Sequence, residues 1–114
     1  MSKIYCIDLD DTICFPNHEF SDTYKKYMDA KPNFSVINKI NSLYDNKNEI
    51  IIFTARRMLT HNGDLEKILA DVEDVTKNWL KKFDVKYHKL IFGKPYADYY
   101  VDDKAVELEN FLIE

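Results

Sequence analysis

The sequence predicts an α/β fold: a single Rossmann-like, three-layer domain over residues 1–114, with a short, mainly parallel sheet flanked by helices. Three observations predict it. Two near-continuous apolar runs, "KIYCIDL" at residues 3–9 and "IIIFT" at 50–54, have the composition of strands buried on both faces, as the strands of parallel sheets are. Stretches with apolar residues at helical spacing alternate with these runs, which is the order of β-α-β units joined by right-handed crossovers. The 114 residues suffice for one hydrophobic core and leave no room for a second.

Taken in order, residues 3–9 form the first strand. Residues 13–31 follow as a flap without a sustained period, broken by Pro16, Asn17 and Asp22, with a helical turn near Tyr24 to Met28. Pro32 suits a first helical turn, and Val36, Ile37, Ile40, Leu43 and Tyr44 continue a helix over 32–44. The run 50–54 is the second strand. Beyond Gly63, Leu65, Ile68, Leu69, Val72, Val75, Trp79, Leu80 and Phe83 trace one face of a long helix. "VKYHKLIF" (85–92) reads as a third strand and "ADYYV" (97–101) as a fourth, before a closing helix marked by Ala105, Leu108, Phe111 and Leu112.

Composition narrows the function classes. Apolar residues at 46% and charged residues at 32% fit a globular protein and exclude disordered and fibrous chains. A net charge of -4 speaks against broad capture of nucleic acid, which depends on neutralising many phosphates. With two cysteines there is no disulfide framework; Cys6, inside an apolar run, reads as a small buried hydrophobe. The acidic N-terminal "MSKIYCIDLDD" does not read as a signal peptide, and no stretch has the length of a membrane span, so a cytoplasmic location is expected.

Ligands of open α/β sheets bind beyond the carboxyl ends of the strands. Here those ends carry Asp8, Asp10 and Thr12, then Thr54 and Arg56, then Lys94, then Asp102 and Asp103. Singly, each has a plain structural reading, because Asp and Thr cap helices and turns and Lys is usually solvated. Gathered at one edge, four carboxylates around a lysine and a hydroxyl suit Mg²⁺, which binds through few carboxylates and substrate phosphate.

These residues carry a resemblance. "IDLDDT" resembles the D-x-D-x-T motif that opens the haloacid dehalogenase (HAD) superfamily of phosphatases, and "IIIFTAR", "GKP" and "YVDD" resemble its later motifs in order. Within that superfamily, "AKPN", "IIIFTAR", "GKP" and "YVDDKA" look most like the small capsule-biosynthesis phosphatases. The resemblance implies a Mg²⁺-dependent phosphomonoester hydrolase working through an aspartyl-phosphate, on a sugar phosphate or another small phosphorylated precursor of surface polysaccharide. It implies Asp8 as nucleophile, Asp10 as general acid and base with its carbonyl on the metal, Thr54 and Lys94 on the phosphoryl group, and Asp102 and Asp103 at the metal with Asp8 and Asp10.

The physics of the reaction is consistent with that assignment. A carboxylate attacking phosphorus needs its charge offset, and phosphoryl transfer is mainly positioning and electrostatic stabilisation. Asp11 reads as a turn or surface residue and Thr12 as a loop brace. Arg56 is a candidate for an anionic substrate group, since Arg binds phosphate bidentately, whereas Arg57 reads as solvated. His61, in the loop after Thr54, is a second substrate-contact candidate; the three histidines lack zinc spacing.

The gaps between motifs hold no cap domain. The site is then open, and specificity has to come from the flap, from the loop 56–63, or from a homo-oligomer covering it. Two other classes fit less well. A receiver-type signalling domain places its aspartate after a middle strand, where "IIIFT" has none. A nucleic-acid-end phosphatase, an activity of related uncapped enzymes, finds no basic-aromatic patch here.

Overall fold

The computed structural model describes residues 2–113. The order is β1 (Ile4–Asp8), β2 (Cys14–Phe15), α1 (Thr23–Met28), β3 (Lys31–Pro32), α2 (Phe34–Asp45), β4 (Glu49–Thr54), α3 (Leu65–Lys82), β5 (Lys89–Phe92) and α4 (Leu108–Ile113). It is a small α/β domain whose parallel three-stranded sheet, in the order β1-β4-β5, is flanked by helices. The pairing of Asp8 with Phe53, and of Thr54 with Phe92, brings the carboxyl ends of all three strands level at one edge.

Side chains alternate across each strand, so Ile7, Ile50, Ile52, Leu90 and Phe92 share one face. Helix α2 buries Val36, Ile37 and Ile40, and α3 buries Ile68, Val72, Val75, Thr76, Trp79 and Leu80. These form two clusters with that face of the sheet. Burial of each aliphatic side chain stabilises the fold by roughly 1.5–3 kcal/mol. The opposite face is half open, with Ile4, Cys6 and Ile91 exposed. Cys6 is therefore not the buried hydrophobe its neighbours suggest: its place in the alternation turns it outward.

Caps set the helix starts. Asp22, Asn33 and Asp64 each accept a hydrogen bond from the backbone N–H three residues on, at α1, α2 and α3. Asn33 also donates its side-chain amide to the Thr12 carbonyl at 3.2 Å, and its N–H reaches Ile13 O at 2.8 Å. Those bonds displace the expected start of α2: Pro32 belongs to β3, which pairs antiparallel with β2 to close the base of the flap. Trp79 Nε1 donates to the Ala30 carbonyl at 2.9 Å, pinning this base of the flap to α3.

Two strand expectations change. The third strand begins at Lys89, because residues 85–88 close off α3; His88 meets β4 by exchanging two hydrogen bonds with Ile50 and stacking on Tyr44. The fourth strand, over 97–101, does not form: residues 93–107 carry no helix or strand. The physical reason is length. Four residues, 93–96, separate β5 from that segment, whereas a parallel neighbour needs a crossover of about a dozen or more.

Candidate active site at the carboxyl edge of the sheet

A cleft of about 440 Å³ opens at the carboxyl edge, with Asp8, Asp10, Asp11, Lys94, Tyr27 and the loop 55–60 on its walls and Tyr96 and Tyr100 at its rim. Asp8 is the last residue of β1, and Asp10 opens a tight turn in which the N–H groups of residues 12–14 all point to the Leu9 carbonyl. Asp11 sits in that turn at φ 63°, a left-handed conformation that Asp tolerates, which matches its expected turn role.

Lys94 Nζ lies 3.4 Å from Asp8 Oδ1 and 4.2 Å from the centre of the Tyr100 ring. Burial pushes the Asp8 carboxyl above its ordinary pKa; the nearby Lys94 charge and hydrogen bond work against this, and the Asp10 charge adds to it. Thr54, at the end of β4, is buried, and its hydroxyl accepts the Arg56 N–H at 3.0 Å, so it braces the turn that follows the strand.

Arg56 departs from its expected role as a substrate contact. Its side chain is fully buried and turned inward. Nε lies 2.9 Å from Asp10 Oδ2, Nη2 2.8 Å from Asp10 Oδ1, and Nη1 donates to Thr76 Oγ1 at 2.9 Å. The guanidinium also stacks on Tyr27 at 4.1 Å and reaches Cys14 Sγ. Burial opposes its charge, but the Asp10 hydrogen bonds and carboxylate win and raise its pKa. Burial also drives the Cys14 thiol and the Tyr27 hydroxyl up, so both stay neutral.

Arg57 and His61 form a second group beside the cleft. Asp71, on α3, accepts from Arg57 Nε at 2.8 Å and lies 2.8 Å from His61 Nε2. Burial pushes the Asp71 carboxyl up, but the His61 and Arg57 hydrogen bonds outweigh it and hold the pKa below the usual range. Arg57 is thus paired rather than simply solvated, and His61 is a clip for its own loop. Asp71 was missed by sequence reasoning; its only signal is its place one residue before Val72 on the long amphipathic face.

Asp102 and Asp103 do not join the others. Both lie exposed on the connection 93–107, where Asp102 accepts the Lys104 N–H at 2.8 Å, which lowers its pKa. Among the described residues no group of three His, Cys, Asp or Glu side chains is placed to hold a metal ion. At the edge itself Asp8 is available, but both Asp10 carboxylate oxygens are engaged by Arg56. Within one chain the carboxylates of Asp102 and Asp103 are thus not gathered with that of Asp8 among the described residues.

The fold has solved counterparts. The structure of an MCSG target protein from Vibrio cholerae is similar over 98% of this chain and 88% of that one, at 32% identity and a TM-score of 0.83. The chain belongs to the same family as that protein. Its fold is HAD-like. The Pnkp1/Rnl/Hen1 complex contains a similar region, 17% identical with a TM-score of 0.62, covering 90% of this chain and 31% of that one. The D,D-heptose 1,7-bisphosphate phosphatase of B. bronchiseptica, complexed with magnesium and phosphate, is 14% identical with a TM-score of 0.52, over 92% of this chain and 54% of that one. No family model and no curated protein matches the sequence. Among the described residues, no helix of this HAD-like domain is long and apolar enough to cross a membrane.

Proposed function

We propose that the chain is a HAD-type phosphomonoester hydrolase in which Asp8 attacks phosphorus and forms an aspartyl-phosphate. The observation that carries this reading is the pairing of Asp8 with Lys94 at the open carboxyl edge, beside an Asp10 held rigidly by Arg56. Lys94 offsets the Asp8 charge and reaches toward the space a phosphoryl group would enter. We assign to Asp10, two residues on, the proton transfers at the leaving oxygen and at water, through a carboxylate lone pair that the Arg56 fork leaves free. The fold supports the reading too, since one solved structure with it is a phosphatase holding magnesium and phosphate.

Mg²⁺ belongs to this proposal as cofactor, with Asp102 and Asp103 as the carboxylates still to be brought to the edge. A small phosphorylated substrate, including a sugar phosphate of surface-polysaccharide synthesis, fits the cleft volume and follows the resemblance of "GKP" and "YVDDKA" to the capsule-biosynthesis group. The second reading is a phosphatase acting on nucleic-acid ends, favoured by one observation: the similar region in the Pnkp1/Rnl/Hen1 RNA repair complex.

A panel of phosphorylated sugars, amino alcohols, nucleotides and polynucleotide ends, assayed with Mg²⁺ as relative kcat/KM, separates the two. Preference for a small phosphomonoester supports the first. Preference for polynucleotide ends supports the second, and no phosphate release from any of them contradicts both.

A further inference from the structure

One edge and one face of the sheet are left open. β1 is an outer strand, and among the described residues no strand pairs with its free edge. On the face turned away from α2 and α3, Ile4 is 70% exposed and Cys6 is exposed beside it. An unpaired, apolar strand edge is a template for another strand.

The same chain carries a segment with strand composition that pairs with no strand. Residues 97–101, "ADYYV", lie outside any ladder, with Tyr99 87% and Val101 98% exposed. This segment cannot serve β1 of its own chain in the direction the site requires. Lys94 is held at the carboxyl edge by Asp8, and only Pro95 and Tyr96 separate it from Ala97, so the segment cannot return to the amino end and run parallel to β1. Antiparallel addition would carry Asp102 and Asp103 to the opposite edge.

We propose that residues 97–101 of a second copy add as a parallel strand to the free edge of β1, reciprocally, so that each site is completed by Asp102 and Asp103 of the other copy. Parallel addition sets the carboxyl end of the incoming strand beside that of β1, which places the two carboxylates next to Asp8. The exchange gives up the exposed bonds in which the Tyr100 hydroxyl donates to the Pro95 carbonyl and accepts from the Ala97 N–H, together with the Lys94 contact on the Tyr100 ring, and replaces them with a strand ladder. It accounts for both the dispersed acidic residues of the single chain and the long exposed connection 93–107. The contact is self-complementary, so it closes at two copies. What the completed site does rests on the phosphatase reading; the exchange itself does not.

Two measurements test it. Light scattering of the full chain should give a dimer, and Val101→Asp should shift it toward monomer. Separately, Asp8→Asn chains and chains carrying Asp102→Asn with Asp103→Asn are unfolded together and refolded as a mixture. Each alone should be inactive, while the mixture recovers about one quarter of wild-type activity, because half the dimers are mixed and each has one intact site. A monomeric wild type, a dimer insensitive to Val101→Asp, or an inactive mixture from active wild type overturns the proposal. If the wild type itself releases no phosphate, the phosphatase reading fails, and the mass measurements alone decide the exchange.

Discussion

Arg56 grips both carboxylate oxygens of Asp10, with Nε 2.9 Å from Oδ2 and Nη2 2.8 Å from Oδ1, from a position wholly shielded from solvent. A planar fork fixed in this way sets where the Asp10 carboxylate stands relative to Asp8, two residues earlier in the chain. The grip is itself anchored: Thr76 receives the third guanidinium nitrogen, and Tyr27 lies under the plane.

Arg56→Lys keeps the charge but loses the fork, so Asp10 is no longer held at both oxygens. Misplacement of a reacting group by about 1 Å costs on the order of 10²-fold, and kcat should fall by about that factor with KM little changed. Steady-state kinetics checks this. A raised KM with unchanged kcat would instead mean that Arg56 contacts substrate.

Thr76→Val removes the acceptor for Arg56 Nη1 while preserving shape. A buried donor left without a partner costs about 1–3 kcal/mol, which urea denaturation should register, whereas Thr76→Ser should stay close to wild type.

Asp8→Asn should raise the thermal midpoint. The Asp8 carboxyl is pushed above its usual pKa by burial, so the folded protein binds its proton more tightly than the unfolded chain does. Its contribution to stability is full below the usual carboxylate value of about 3.9 and is lost as pH rises through the folded value. The advantage of Asp8→Asn over wild type should therefore grow from acidic to neutral pH in metal-free thermal melts. An Asn variant less stable than wild type at neutral pH would contradict the burial cost assigned to the Asp8 carboxylate.

Asp71→Asn acts with the opposite sign. The Asp71 carboxyl is held below its usual range, so its contribution is present above about 3.9 and lost as pH falls through the folded value. The pairs lie at the protein rim, so the loss at neutral pH should be under about 1 kcal/mol. The larger effect should appear in KM, because Arg57 and the loop 55–60 line the cleft and lose their anchor to α3.

The elements set by periodicity were legible in the sequence. The faces of α2 and α3 and the existence of β4 follow from apolar spacing alone, and the placing of Asp8, Asp10, Thr54 and Lys94 at one edge follows from their positions at the carboxyl ends of parallel strands. What periodicity does not encode is the reach of connections. "ADYYV" has strand composition, yet four residues after β5 cannot make a parallel crossover, and so Asp102 and Asp103 stay away from Asp8 within one chain. Arg56 was misread for a related reason. Its neighbour Arg57 is identical in type, and only the tertiary fold decides which one turns inward to Asp10 and which outward to Asp71. Cys6 shows the same limit: its apolar neighbours do not reveal that its face of the sheet is open.

The central claim, that Asp8 carries the phosphoryl group, is tested most directly by acid-quenching a single turnover of a radiolabelled phosphomonoester and mapping the protein-bound label. The account predicts label on the peptide containing Asp8 in the wild type and none in Asp8→Asn. Label on another residue, or phosphate release by Asp8→Asn at the wild-type rate, would contradict it.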